Sequence, residues 1–422
     1  MPLALAEPVK LPCGLVLPNR FVKAAMAESM ASTKDNLPNQ VFVQAYTKWA
    51  EGGWGALLTG NVQVDPDYLG GPNDPVAGEY NGNDTKTLDA WRKYADACQK
   101  HGTPAIVQIC HPGRQSPRGA GRRGLCAPTL APSAIPLNFG DSYLERFFTW
   151  LAFGSPREMT VADIERVVRR FVDTARLMAD SGFAGVELHA AHGYLLTQFL
   201  SSKTNRRTDD YGGTPEKRAK IVLDIIKQIR EAVPSNFCVG IKLNSADHDS
   251  AEFEDTMRQI ELLVESGIDF LEVSGGSYED PKMTTGPGSL PQVEKSQRTL
   301  AREAFFLDFA AEIRKRFPNL VLMVTGGFRS RKGAEAAVQS KACDLVGIAR
   351  PAAINPKFPQ LLLDESVPDE KAQLVLGKVP LPTWAKFVPL PKRALGAGAE
   401  SLYYVGQIQR MAKGLPTFGP RV

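Results

Sequence analysis

The chain has 422 residues, 43% of them hydrophobic, and a formal net charge of +4. A nearly balanced charge without a basic run argues against nucleic acid as a partner, and no apolar segment approaches the roughly 20 residues needed to span a bilayer. The six cysteines (Cys13, Cys98, Cys110, Cys126, Cys238 and Cys343) lack CxxC spacing; they read as free thiols in a reducing compartment, which sets a cytoplasmic expectation. The opening Met1-Pro-Leu-Ala-Leu-Ala-Glu-Pro is too short and acidic for a signal peptide.

In chain order, Asn19–Ala25 reads as a first strand and Val41–Ala50 as an apolar helix. Gly55–Asn61 is the second strand. Thr87–His101 is helical, with Leu88, Trp91 and Tyr94/Ala95 at helical spacing. Pro104–Ile109 is the third strand. From His111 to Met159 the chain is irregular and rich in Gly, Pro and Arg, and a loop that long in a compact domain is usually functional. Thr160, followed three residues on by Asp163, caps the next helix. The fourth strand is Gly185–Leu188, and a helix covers Pro215–Ala232. Phe237–Leu243 and Ile268–Ser274 are strands five and six, with the helix Glu252–Ser266 between them. The helix Ala301–Arg316 precedes strand seven, Leu320–Thr325. A helix over Lys332–Gln339 leads to strand eight, Asp344–Ile348.

Eight short apolar strands alternating with helices predict an α/β fold, a (β/α)8 barrel with a long loop after strand three. A doubly wound open sheet is the alternative, ranked second because no GxGxxG follows a strand. The barrel is expected over residues 1–357. Residues 358–422 read as a C-terminal extension with a weak helix, Ala399–Met411, packing on the barrel or on a partner subunit in a homodimer.

The chemistry concentrates in Ser181–Tyr194. His189, His192 and Tyr194 follow the fourth strand, where side chains at the carboxyl end of a parallel strand face the ligand crevice. Two imidazoles and a phenol there can hold an oxygen that gains negative charge and then supply a proton. Taken alone, each reads first as a satisfied strand-end histidine or a rim aromatic. A metal is disfavoured, since the stretch adds no Cys and no third His. Gly326 and Gly327 at the end of strand seven, with Ala349 and Arg350 past strand eight, suit a phosphate: loops after these strands supply backbone N–H groups and a fixed charged fork.

The run Glu187-Leu-His-Ala-Ala-His-Gly-Tyr-Leu-Leu, then Gln198-Phe-Leu-Ser, Thr204–Gly213 and Arg218, resembles the signature of the Old Yellow Enzyme family. Pro18-Asn-Arg-Phe, His111-Pro-Gly-Arg, Ala131–Pro136 and Val273-Ser-Gly-Gly276 extend the resemblance over roughly residues 8 to 356. It implies an FMN-dependent, NAD(P)H-driven reductase of activated alkenes on a (β/α)8 barrel, acting on a small-molecule enone. His189 and His192 would hold the carbonyl oxygen and Tyr194 would protonate the α-carbon. Ala25, Met26, Ala27, Gly60, Gln108 and Lys242 would contact the flavin ring. Three positions depart from the family pattern. Ala27 stands where Thr or Cys is usual, Lys242 where Arg is usual, which keeps the charge but loses the planar fork, and Ser29 falls near where some relatives carry a substrate-contacting Tyr. The paired histidines resemble one branch of the family. A flavin dehydrogenase or oxidase of an alcohol or amine, or a flavin-binding protein without turnover, are the alternatives.

Overall fold

A computed structural model describes residues 3–421, apart from 79, 81, 83, 141, 247–251, 276–294 and 382–391. Side chains are described outside 295–305, 392–395 and 397. Eight strands form the core: β1 (Phe21–Lys23), β2 (Ala56–Leu58), β3 (Ala105–Cys110), β4 (Gly185–Ala190), β5 (Cys238–Asn244), β6 (Phe270–Ser274), β7 (Leu322–Thr325) and β8 (Leu345–Ile348). They pair in chain order, all parallel, and β8 returns to β1 with Val346 opposite Phe21. The sheet is therefore a closed barrel, not an open doubly wound sheet. Continuous apolar strands favour this because helices cover the outer face while side chains fill the inner one.

The helices follow local signals. Thr160 accepts from Asp163 N and Asp163 answers with its side chain, so Val161–Asp180 starts on a capping box. Ile164, Val167, Phe171, Ala175 and Met178 then recur at helical spacing and are buried. At the amino end of the barrel an antiparallel hairpin, Val9–Lys10 with Val16–Leu17, forms the floor. Its Leu11 and Leu17 pack with Val22, Leu58, Ile106, Phe270, Met323 and Leu345. Gly240 is required there, since a Cβ would lie 2.2 Å from the Phe270 ring.

Two regions differ from the sequence reading. The stretch His111–Met159 contains an eleven-residue helix, Tyr143–Phe153, rather than only irregular backbone. Its large apolar residues Tyr143, Leu144, Phe147, Phe148, Trp150 and Leu151 all stay exposed. No buried stripe therefore marks it as a helix, although Ser142 and Glu145 form a capping box. The C-terminal helix is also longer than expected, spanning Lys392–Ala412. It packs on the helix Gln40–Ala50, and its Tyr404, Ile408 and Met411 join the main core. Gly276 of the predicted Val273–Gly276 motif lies outside the described residues.

Candidate active site

His189, next to last in β4, lies in register with Lys242 on β5. The chain then turns through His192 at φ +59°, a left-handed conformation that is costly for a side-chain-bearing residue. The turn is tied down: His192 N donates to Asn244 Oδ1 at 3.0 Å, and Gln115 Nε2 donates to His192 O at 3.0 Å. His192 Nε2 lies 3.1 Å from Ser274 Oγ. The His189 ring stands nearly perpendicular to both neighbours, 5.0 Å from His192 and 4.6 Å from Tyr194 between centroids. Ala191 N donates to His189 Nδ1 at 3.2 Å, which places the proton of the neutral ring on Nε2. Tyr194 Oη accepts from Asn61 Nδ2 at 2.9 Å.

The electrostatics keep both imidazoles neutral. Burial pushes the His189 pKa well below its usual value, helped by His192 and Lys242. Burial, then Lys242, does the same for His192. At neutral pH both rings are uncharged and can donate one hydrogen bond each.

These three residues open onto a cavity of about 310 Å³ at the carboxyl ends of the strands. Ala25, Met26 and Ala27 line it from the end of β1, Gln108 from β3 and Lys242 from β5. Gly326, Gly327, Ala349 and Arg350 line it from the ends of β7 and β8. Gly326 and Gly327 have φ of +155° and +90°, conformations that favour glycine. Of the predicted residues only Gly60 does not line the cavity. Its N–H donates to Glu28 Oε1 at 2.8 Å, and a Cβ there would lie 2.0 Å from Glu28 Oε2. Gly60 therefore serves the close approach of the buried Glu28, which also accepts from Tyr46.

The donor set fits a flavin mononucleotide. An amide and an ammonium (Gln108, Lys242) suit the polar edge of a flat ring. A glycine pair with a guanidinium suits one phosphate. Apolar walls come from Met26, Phe306, Phe328 and Ile408. The sequence reading missed Asn61, Ser274 and Glu400, which also line the cavity. Asn61 and Ser274 each end a predicted strand, which was their available signal. Glu400 lies on the C-terminal helix, about fifty positions beyond the last strand, and had none.

The chain matches the NADH:flavin oxidoreductase / NADH oxidase family over residues 4–369. It is 52% identical over 355 residues to the NADH-dependent flavin oxidoreductase iliE of Neonectria sp. (strain DH2), covering 84% of this chain but only 46% of that protein. The NADH-dependent flavin oxidoreductase iccE of Talaromyces variabilis is 46% identical over 416 residues, covering 97% of this chain and 99% of that one. The old yellow enzyme homologue from Zymomonas mobilis shares the fold, with a TM-score of 0.70 at 22% identity, covering 93% of this chain and 98% of that one. A barrel closed in chain order, a cavity fitted to a flavin and a match across most of its length place the chain in the NADH:flavin oxidoreductase / NADH oxidase family, the family of the Old Yellow Enzymes.

Proposed function

We propose that the protein reduces the C=C bond of α,β-unsaturated carbonyl compounds with electrons from a reduced nicotinamide. Bound FMN would supply the two-electron hydride chemistry, with Gln108 and Lys242 at its ring edge and Gly326, Gly327 and Arg350 at its phosphate. The observation that carries the reading is the convergence of His189, His192 and Tyr194 on one cavity whose other walls fit FMN. The names of the two curated relatives favour NADH as the donor.

The protein's part is to hold the substrate and move one proton. Neutral N–H donors on His189 and His192 are suited to a carbonyl oxygen that becomes more negative as the alkene is reduced. They polarise it as neutral donors, because both rings stay uncharged at neutral pH and a neutral imidazole N–H is too weak an acid to give up its proton. Tyr194 would protonate the α-carbon. As its proton leaves, the Asn61 amide N–H already directed at Oη stabilises the phenolate.

The test is anaerobic. FMN-loaded protein should bleach with NADH and recover its yellow colour on adding an enone. Recovery with no member of a broad enone panel would overturn the reading, and bleaching by an alcohol or amine instead would assign the reverse chemistry.

A further inference from the structure

Four polar side chains share the barrel interior at the floor of the cavity: Gln108, Glu187, Lys242 and Glu272. None is more than 3% exposed. Lys242 and Glu272 are register partners on β5 and β6, with Lys242 Nζ 2.8 Å from Glu272 Oε1. Gln108 Nε2 donates to Glu187 Oε2 at 2.6 Å, and the Glu187 and Glu272 carboxyls meet each other. The cluster thus holds two carboxyls and one cation. The other buried lysine nearby, Lys23, is engaged elsewhere: it donates to Tyr46 Oη at 3.1 Å and to Leu58 O at 2.8 Å.

Two touching carboxylates in a dry interior cannot both ionise beside a single cation. We infer that Glu187 and Glu272 share one proton and present one negative charge to Lys242, so that the cation facing the cofactor cavity is neutralised. The electrostatics agree in direction. Burial drives the Glu187 carboxyl well above the usual range, and Glu272 adds to this. At Glu272 burial is again the largest influence and pulls the same way, but the Lys242 charge together with hydrogen bonds from Glu187, Lys242 and Thr325 overcomes it and holds that carboxyl low.

The consequence falls on the flavin, and it rests on the reading that Lys242 faces the ring. A lone cation there would favour the reduced flavin, which carries more negative charge. A neutralised one favours it less, so the pair holds the flavin's potential down. Glu187 and Glu272 are positioning residues in this scheme, since they act through Lys242. Because one proton is mobile between them, either carboxyl can carry the charge when the other is removed.

The experiment compares FMN-loaded wild type with Glu187→Gln, Glu272→Gln and the double variant. The midpoint potential is read by anaerobic dye equilibration, and the carboxylic-acid C=O stretch by infrared spectroscopy. Each single variant should shift the flavin equilibrium less than about threefold, because the remaining carboxyl ionises. The double variant should shift it at least tenfold toward reduced flavin, which is about 30 mV for a two-electron couple. The buried acid band should vanish in both single variants. A full shift in Glu272→Gln alone, or a band that survives either single substitution, overturns the shared proton. A double variant with the wild-type potential overturns the effect on the flavin. Should the double variant not hold FMN, the two single variants still decide, through band and potential together. No readout needs an enone, so failure of the proposed substrate class would remain distinguishable.

Discussion

Arg350, just past β8, forms an ion pair with Glu400 of the C-terminal helix. The guanidinium suited to a cofactor phosphate is therefore already engaged from within the chain. Loss of Arg350 should still weaken FMN retention, by about 1.5–3 kcal/mol for one charge-assisted contact. Glu400→Gln should do the opposite, since it removes an anion that competes with phosphate. Fluorescence titration of apoprotein with FMN measures both. Equal weakening in the two variants would show that Glu400 orients Arg350 rather than competing for it.

The histidine pair gives the second prediction. Substituting both His189 and His192 with Ala should abolish the long-wavelength charge-transfer band of a bound phenol and raise the enone KM, with flavin content retained. Because both rings are held neutral, phenol affinity should not change between pH 8 and pH 6 on their account. A phenol band that persists in the double variant would refute the oxygen-holding role.

For Tyr194, replacement by Phe should slow enone-dependent flavin reoxidation by roughly 10²–10⁴-fold, the usual worth of a general acid. Flavin reduction by NADH should barely change. Nitroalkenes, whose reduced form is a stable anion, should react almost normally. Asn61→Ala should reproduce the defect weakly, about two- to tenfold, as expected for one net hydrogen bond to the departing phenolate. Stopped-flow measurement of the two half-reactions decides. Equal slowing of both would make Tyr194 a packing residue.

Stability should fall on mild acidification. Burial lowers the pKa of His111 from its usual 6.5 to about 4, with Nδ1 accepting from Gly113 N at 3.0 Å. Above pH 6.5 the residue is neutral in both folded and unfolded chains and contributes no pH dependence. Below it the unfolded chain takes up a proton that the folded one refuses, so stability drops as pH falls toward 4. The full difference is about 3 kcal/mol. Urea unfolding at pH 7 and pH 4.5 measures it. His111→Asn should flatten the His111 share of the slope, and an unchanged slope would assign the loss to other groups.

Much of this protein was legible in its sequence. The eight strands fall within a few residues of where apolar runs and turn residues placed them. The helix starts at Thr160 and Pro215 follow from capping chemistry and a proline at the first helical position. His189, His192, Tyr194 and Arg350 could be picked out because a parallel strand delivers its last residues to one end of the barrel, whatever the loops do, and the family resemblance added Gln108 and Lys242. What the sequence could not carry is pairing between distant segments. Only the closed sheet sets Lys242 beside Glu272 and Glu187 beside Gln108, because strand register turns positions far apart in sequence into neighbours a few ångströms apart. The same holds for Asn61 against Tyr194 and for Glu400 against Arg350. It also explains Gly60, whose N–H goes to a buried carboxylate rather than to the cavity. Local propensity and spacing are properties of a stretch of chain and were readable there. Which charge a buried group feels depends on what the fold brings against it, and that only the tertiary structure decided.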